Sequence, residues 1–254
     1  MKKPAPEFLF VDVGNTRLKW AVARPGGPIR VGGDIATRDA TGARIRALAK
    51  RYRDHRTVLA SVVPKLLPAF RRVFSGRLVE AGASLPELGL YFDYPNPAEI
   101  GADRLAAAVA VRASGRFPAI IVACGTATAF TVLDAKGRLC GGAIAPGLRT
   151  QLAALLGATA QLPGTALRRP RSVPAKSTRE AIRAGVILNF EGGAKEIIGQ
   201  LGAAVSGGGK PHVILTGGHA EELAGSLDVA HTLRPLLVFE GLRIIGERVW
   251  ITAS

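Results

Sequence analysis

The chain has 254 residues, 48% of them hydrophobic, with 34 lysines and arginines against 19 acids and a formal net charge of +15. That length suits one large or two medium domains with a real core, and no apolar run reaches the ~20 residues of a membrane helix. Two cysteines, Cys124 and Cys140, make neither a disulfide framework nor a metal site, and the four histidines show no ligand spacing. The segment Met1–Glu7 carries two lysines, but the apolar run Phe8–Val11 is too short for a signal-peptide core, so a cytoplasmic protein is expected.

In chain order, Phe8–Val13, Leu18–Ala23 and Ile29–Ile35 read as three strands, followed by a helix over Thr41–Arg53. Thr57–Val63 reads as a buried strand that stops at Pro64, then come a short helix, Leu66–Phe74, and a strand, Arg77–Glu80. Tyr91–Pro97 is a proline-broken loop, and Ile100–Ser114 an alanine-rich helix. Ala119–Ala123, Ala127–Leu133 and Arg138–Ile144 read as three further strands, with Pro146 expected to open a helix. A long helix, Thr178–Leu201, a glycine loop at Gly207–Gly209, a strand, His212–Leu215, and a closing helix, Pro235–Val249, complete the chain. Three strands followed by alternating helix and strand occur in both halves, the mark of a duplicated α/β unit with a hinge near Gly115–Pro118.

Two segments stand out: Phe10–Lys19 and Ile121–Phe130. Each is an apolar run that breaks at a glycine, Gly14 or Gly125, and resumes through small hydroxyl or amide residues. Glycine permits a sharp turn and lets a ligand oxygen approach the main chain, and Asn15, Thr16, Thr126 and Thr128 add side-chain donors. Either alone reads as an ordinary hairpin; the pair suggests two phosphate-binding turns. No G-x-x-x-x-G-K-[ST] and no G-x-G-x-x-G after a strand occurs. A third signal, Asn96–Leu105, puts Asp103 and Arg104 at the start of the alanine-rich helix, where an aspartate can accept a hydroxyl proton and an arginine can clamp a carboxylate. The basic stretch Arg44–Arg56 keeps its apolar residues at helical spacing and reads as a solvated face. With no helix-turn-helix or aromatic platform recognisable, the charge points to steering of anionic substrates rather than to specific nucleic-acid binding.

The paired hairpins resemble those of the acetate/sugar kinase–actin superfamily, which implies two duplicated ribonuclease H-like domains, 1–115 and 116–254, with ATP in the cleft between them and the closing helix packing back on the first half. The ordered set Asp12–Lys19, Ala60–Pro64, Tyr94–Arg104, Gly125–Thr128, Gly141–Gly147, Ser177–Gly185 and Leu215–Gly218 resembles the type III pantothenate kinases, the family that includes the Bvg accessory factors. The resemblance implies ATP-dependent phosphorylation of pantothenate to 4′-phosphopantothenate, the first step of coenzyme A synthesis, by a homodimer. It assigns Asp12, Val13, Gly14, Asn15, Thr16, Arg17, Leu18 and Lys19 to the ATP phosphates, with Asp12 holding magnesium through water. Gly125 and Thr126 contact ATP from the second hairpin, and Thr216, Gly217 and Gly218 lie toward the adenosine. Tyr94, Gly101, Ala102, Asp103, Arg104 and Thr178 bind pantothenate, and Asp103 accepts the proton. One position departs: family members commonly carry a potassium- or ammonium-binding aspartate two residues before the second glycine, and Ala123 stands there. Loss of that cation site is expected, and the alternative function is a catalytically weakened regulatory protein on the same scaffold.

Overall fold

The computed structural model describes residues 7–205 and 209–252, so most of the expected glycine loop and the lysines before Glu7 lie outside the described residues. In chain order the elements are β1 (Phe8–Val13), β2 (Arg17–Ala23), β3 (Arg30–Ala36), α1 (Gly42–Arg51), β4 (Arg56–Ser61), α2 (Leu67–Val73), β5 (Leu78–Glu80), the two-residue β6 (Tyr91–Phe92) and α3 (Ala102–Ala113). Then follow β7 (Ala119–Cys124), β8 (Ala127–Leu133), β9 (Arg138–Pro146), α4 (Leu148–Gly157), α5 (Thr178–Val205), β10 (His212–Thr216), α6 (Ala220–Ala224), β11 (His231–Leu233) and α7 (Leu237–Glu247). Two compact units result: residues 1–115 with 236–254, and residues 116–235.

Both units repeat one strand plan. In the first the order is β3-β2-β1-β4-β5; in the second, β9-β8-β7-β10-β11. The first three strands of each pair antiparallel, and the fourth and fifth join parallel to the first. This is the ribonuclease H-like topology, twice. β1 and β7 are central, so both their faces are covered, which explains unbroken apolar runs where a half-exposed strand would alternate.

In the first unit Leu9, Val11 and Val13 point to one face and pack with Ile45 and Leu48 of α1 and Phe70 of α2. Phe8, Phe10 and Asp12 point to the other by strand alternation. There Gly246 of α7 abuts Phe8 and Val58, and the Phe8 ring stacks on Trp250 at 6.0 Å. Helix α3 is buried over seven successive residues, Leu105–Val111. Its alanines let α7 approach closely: a Cβ on Gly241 would lie 1.8 Å from the Ala106 carbonyl oxygen. In the second unit Ile120, Val122, Phe130 and Val132 pack under Ile182, Val186 and Phe190 of α5. Two charges buried along that helix are paired: Glu191 accepts from Arg169 at 2.5 Å, and Arg183 pairs with Glu180 and donates to the Ala166 carbonyl at 3.1 Å.

Several sequence boundaries move. Pro146 does not open a helix; it ends β9 opposite Ala127, and α4 starts at Leu148 with Gly147 as its N-cap. A proline at a strand end sacrifices no ladder hydrogen bond that the sheet needs. The closing helix is α-helical over Leu237–Glu247 and widens to a π-helical turn over Arg248–Thr252. The short α6 and β11 carry no legible period, and Tyr91–Phe92, expected as loop, is a minimal strand.

Gly241→Ala should be strongly destabilising. Overpacking a tight core typically costs ~1–3 kcal/mol, and the obstructing atom here is backbone, which cannot rotate aside. A urea titration should show a lower midpoint at similar slope; an unchanged midpoint would mean that α3 and α7 do not touch this closely.

Candidate active site

The first hairpin places Asp12 and Lys19 as direct cross-strand partners on one face. Its turn, Gly14–Thr16, is held three ways. The Gly14 N–H donates to the Arg17 carbonyl at 3.0 Å, the Thr37 N–H donates to the Thr16 carbonyl at 2.9 Å, and the Thr37 hydroxyl donates to the Gly14 carbonyl at 2.7 Å. Asn15 and Thr16 stay exposed at the tip, while Val13 and Leu18 are buried beneath it. Arg17 is taken up by an ion pair with Asp34 of β3.

Helix α3 begins at Ala102 with Gly101 as N-cap, and Asp103 lies in its first turn, its carboxylate accepting from the Arg104 N–H at 2.9 Å. A Cβ on Gly101 would meet that carboxylate at 2.8 Å and Val62 at 3.3 Å, so the glycine makes room for the acid to fold back over the helix end. Asp103 is close enough to Asp12 to act on its titration. Desolvation first, then the Asp103 charge, push the Asp12 carboxyl up to about 7, against the opposing pull of Lys19. Beside Gly101 and Ala102 an open groove of about 390 Å³ runs past the carboxyl ends of β4 and β5, touching Ser61 and Gly82. Ligands of open α/β sheets lie beyond the strands' carboxyl ends. Tyr94 is half-buried in the bend that precedes α3.

The second unit holds its own group. The Gly125 N–H donates to the Ala127 carbonyl at 3.0 Å, closing the turn. The Thr126 carbonyl accepts from the Gly147 N–H at 3.0 Å and from the Thr150 hydroxyl at 2.5 Å. Gly217 has φ +95°, and a Cβ there would come within 2.5 Å of the Cys124 carbonyl oxygen. Glycine alone therefore lets the Thr216–Gly218 turn lie against the end of β7. Thr216 is buried and Gly218 exposed. Ala123 pairs with Ala129 and Thr216, and contributes only a methyl group. Nearby, the buried Thr128 hydroxyl has no hydrogen-bond partner among the described residues. Thr178 is the exposed first residue of α5, whose N-cap is Ser177, accepting from the Glu180 N–H at 3.3 Å.

The structure thus gathers Asp12, Lys19 and Gly101–Arg104 within the first unit, and Gly125, Thr126 and Thr216–Gly218 within the second; Thr178 makes no side-chain hydrogen bond among the described residues. Sequence reading missed Thr37 and Thr150, which brace the two turns. Nothing local marks them, since each acts on a carbonyl more than twenty positions away.

Solved structures at low sequence identity share this fold. A Baf family protein from Campylobacter jejuni matches with a TM-score of 0.64 at 17% identity over 94% of this chain and 96% of its own. The activator of 2-hydroxyisocaproyl-CoA dehydratase from Clostridium difficile, solved with bound ADPNP, matches with a TM-score of 0.54 at 16% identity, covering 97% of each chain. The model of the type III pantothenate kinase family matches residues 8–200, and this chain belongs to that family. Relatives bearing that name include one from Methylacidiphilum infernorum, 35% identical over 94% of this chain and 88% of its own, and one from Rhodospirillum rubrum, 40% identical over 76% of each.

The raised Asp12 pKa makes a signed prediction for the ligand-free protein. The folded state binds a proton between pH about 4 and 7 that the unfolded chain has released, so this group's contribution is largest in acid and is lost as pH rises through 7. Asp12→Asn should flatten that part of the stability–pH profile and be the more stable form at pH 8. Parallel profiles for the two proteins would show that Asp12 is not desolvated.

Proposed function

We propose that this protein is an ATP-dependent kinase that phosphorylates pantothenate to 4′-phosphopantothenate, the entry to coenzyme A synthesis. The observation that carries the reading is the convergence of Asp12, Lys19 and Asp103 on one side of the first sheet, in a chain that matches the pantothenate kinase family through residue 200. In this reading Asp103 positions the acceptor hydroxyl and takes its proton as the oxygen attacks the γ-phosphorus and the bond to ADP breaks. Its place in the first turn of α3 holds the carboxylate against the helix end, where it accepts from the Arg104 N–H. Arg104 clamps the pantothenate carboxylate, with Tyr94, Gly101, Ala102 and Thr178 completing the acceptor site.

The amides of the Gly14–Thr16 turn, together with Lys19, cradle the phosphates; Gly125 and Thr126 contribute from the second hairpin, and Gly217 and Gly218 approach the adenosine. The residues present suit magnesium. Asp12 and Asp103 repel each other in a desolvated setting, and a divalent cation relieves that repulsion. Asp12 would hold it, through water, and the cation would neutralise charge developing on the phosphate oxygens. They do not suit a monovalent cation in the second hairpin. Ala123 offers no carboxylate, and what remains is neutral carbonyls and hydroxyls such as that of Thr128. We place the protein in the cytoplasm and as a homodimer. Among the described residues no helix is long and apolar enough to cross a membrane.

Purified protein given ATP, magnesium and pantothenate should release ADP and phosphopantothenate. Asp103→Asn should lower turnover by ~10²–10⁴, the usual worth of general-base help, while leaving the melting curve intact. Near-normal turnover would remove Asp103 from that role, and no product in any buffer would end the kinase reading.

Rates in sodium, potassium, ammonium and tetramethylammonium at equal ionic strength should agree closely. A large saturable activation by potassium or ammonium would show that the cation site survives without the aspartate.

A further inference from the structure

The positive charge of this protein is not spread evenly. From Thr37 to Arg77 the chain carries eleven lysines and arginines against two acids, an excess of nine in a molecule whose whole excess is fifteen. The fold gathers much of that excess on one layer. Helices α1 and α2 pack against each other and onto the sheet face made by Leu9, Val11, Val13 and Leu59. Their outer surface presents Arg44, Arg46, Lys50 and Arg51 from α1, Arg53 just beyond it, Lys65 just before α2, and Arg71 and Arg72 on it, all exposed. Three of these are engaged, Arg53 with Asp54, Arg71 with Glu80, and Arg51 over the Tyr52 ring at 5.3 Å. Among the described residues Arg44, Arg46, Lys50, Lys65 and Arg72 have no ion-pair partner.

This layer does not serve the phosphates at the candidate active site. Asp12 and Asp103 belong to the opposite face of the same sheet, the face that packs α3 and α7. A packed layer is ~10 Å deep, beyond the ~8 Å over which exposed charges act at physiological ionic strength. Nor does it suit insertion into a lipid surface, which requires large apolar side chains beside the cations. The large exposed apolar residues of the described chain, Val31, Tyr91, Ile144 and Leu188 among them, all lie off α1 and α2. The other exposed positions of α1 are the small residues Gly42, Ala43 and Ala47. Arginine predominates, the cation whose planar fork matches phosphate oxygens in pairs.

We propose that the α1–α2 layer is a docking surface for the phosphate backbone of nucleic acid, bound without reading base sequence. The complementarity is of charge and spacing. Helix α1 presents four cations over eight residues, about 12 Å at 1.5 Å rise per residue, and a duplex offers one phosphate per ~1.7 Å of axis. No aromatic platform and no protruding recognition element accompanies the cations, so contacts to bases are not part of the site.

The test is fluorescence anisotropy with a labelled 20-base-pair duplex of arbitrary sequence and a second of shuffled sequence, titrated with full-length protein across a salt series. Binding should be measurable at 150 mM salt, equal for the two sequences, with a log–log salt slope near −4, as about four to five neutralised phosphates require. The variant R44E/R46E/K50E/R51E should bind at least tenfold more weakly with a shallower slope, while staying folded at the assay temperature and keeping its turnover. R44K/R46K/R51K, which keeps the charge, should bind within a few-fold of the parent. The control K136E/R168E/R171E/K210E makes the same change in net charge on the second unit and should lose less than threefold. Equal losses in the two charge-reversed variants would overturn the proposal in favour of net charge alone. So would undetectable binding at 150 mM salt, a tenfold preference between the duplexes, or tighter binding to vesicles of anionic phospholipid than to the duplex.

Discussion

Two carboxylates from distant parts of the chain are held together where water cannot fully solvate them, and the rest of the first unit exists around that arrangement. Asp12 lies one residue before the end of a strand covered on both faces; Asp103 sits in the first turn of a helix buried along seven residues. Neither position tolerates drift. The strand is locked by ladders to β2 and β4, and the helix by a partner so close that Gly241 has no room for a Cβ. The unfavourable proximity of two acids is tolerated because hydrophobic burial elsewhere offsets it, and in the proposed function a divalent cation would relieve the repulsion. Strain of this kind marks functional sites more often than ordinary surface.

The two hairpins show how duplication carries a mechanism as well as a shape. In each, the carbonyl of the last turn residue, Thr16 or Thr126, accepts a hydrogen bond from the first main-chain N–H after the third strand, that of Thr37 or Gly147. In each, a threonine hydroxyl adds a second bond to the turn, from Thr37 or from Thr150. The turns are thereby fixed from behind, and a pre-ordered turn lowers the ordering cost of binding any ligand it meets. The copies diverge at the residue facing inward from the first strand. Asp12 in one half is Ala123 in the other, so charge is concentrated in the first unit.

That unit is also electrostatically divided. One face of its sheet carries the acidic pair; the other carries two helices whose charged residues are all cations. The strand alternation that sends Leu9, Val11 and Val13 one way and Phe8, Phe10 and Asp12 the other keeps the two apart.

Much of this was legible in the residues. Period-two and period-3.6 patterns located the central strands and main helices, and the glycine breaks at Gly14 and Gly125 identified both hairpins, because backbone reversals leave a local chemical mark. Asp103 and Arg104 were visible as charges at a helix start. The elements misread were those with little local signal: Pro146, set by a ladder to a strand nineteen residues earlier, and β6, α6 and β11, which are too short to show a period. The bracing by Thr37 and Thr150, the fold-back of Asp103 over Gly101, the closure of α7 on α3 and the gathering of cations on one layer depend on residues far apart in the chain. Sequence by itself determined which residues turn, alternate and carry charge, since those are properties of a residue and its neighbours. Only the tertiary structure decided which of them meet, because meeting requires burial and packing that no local pattern contains.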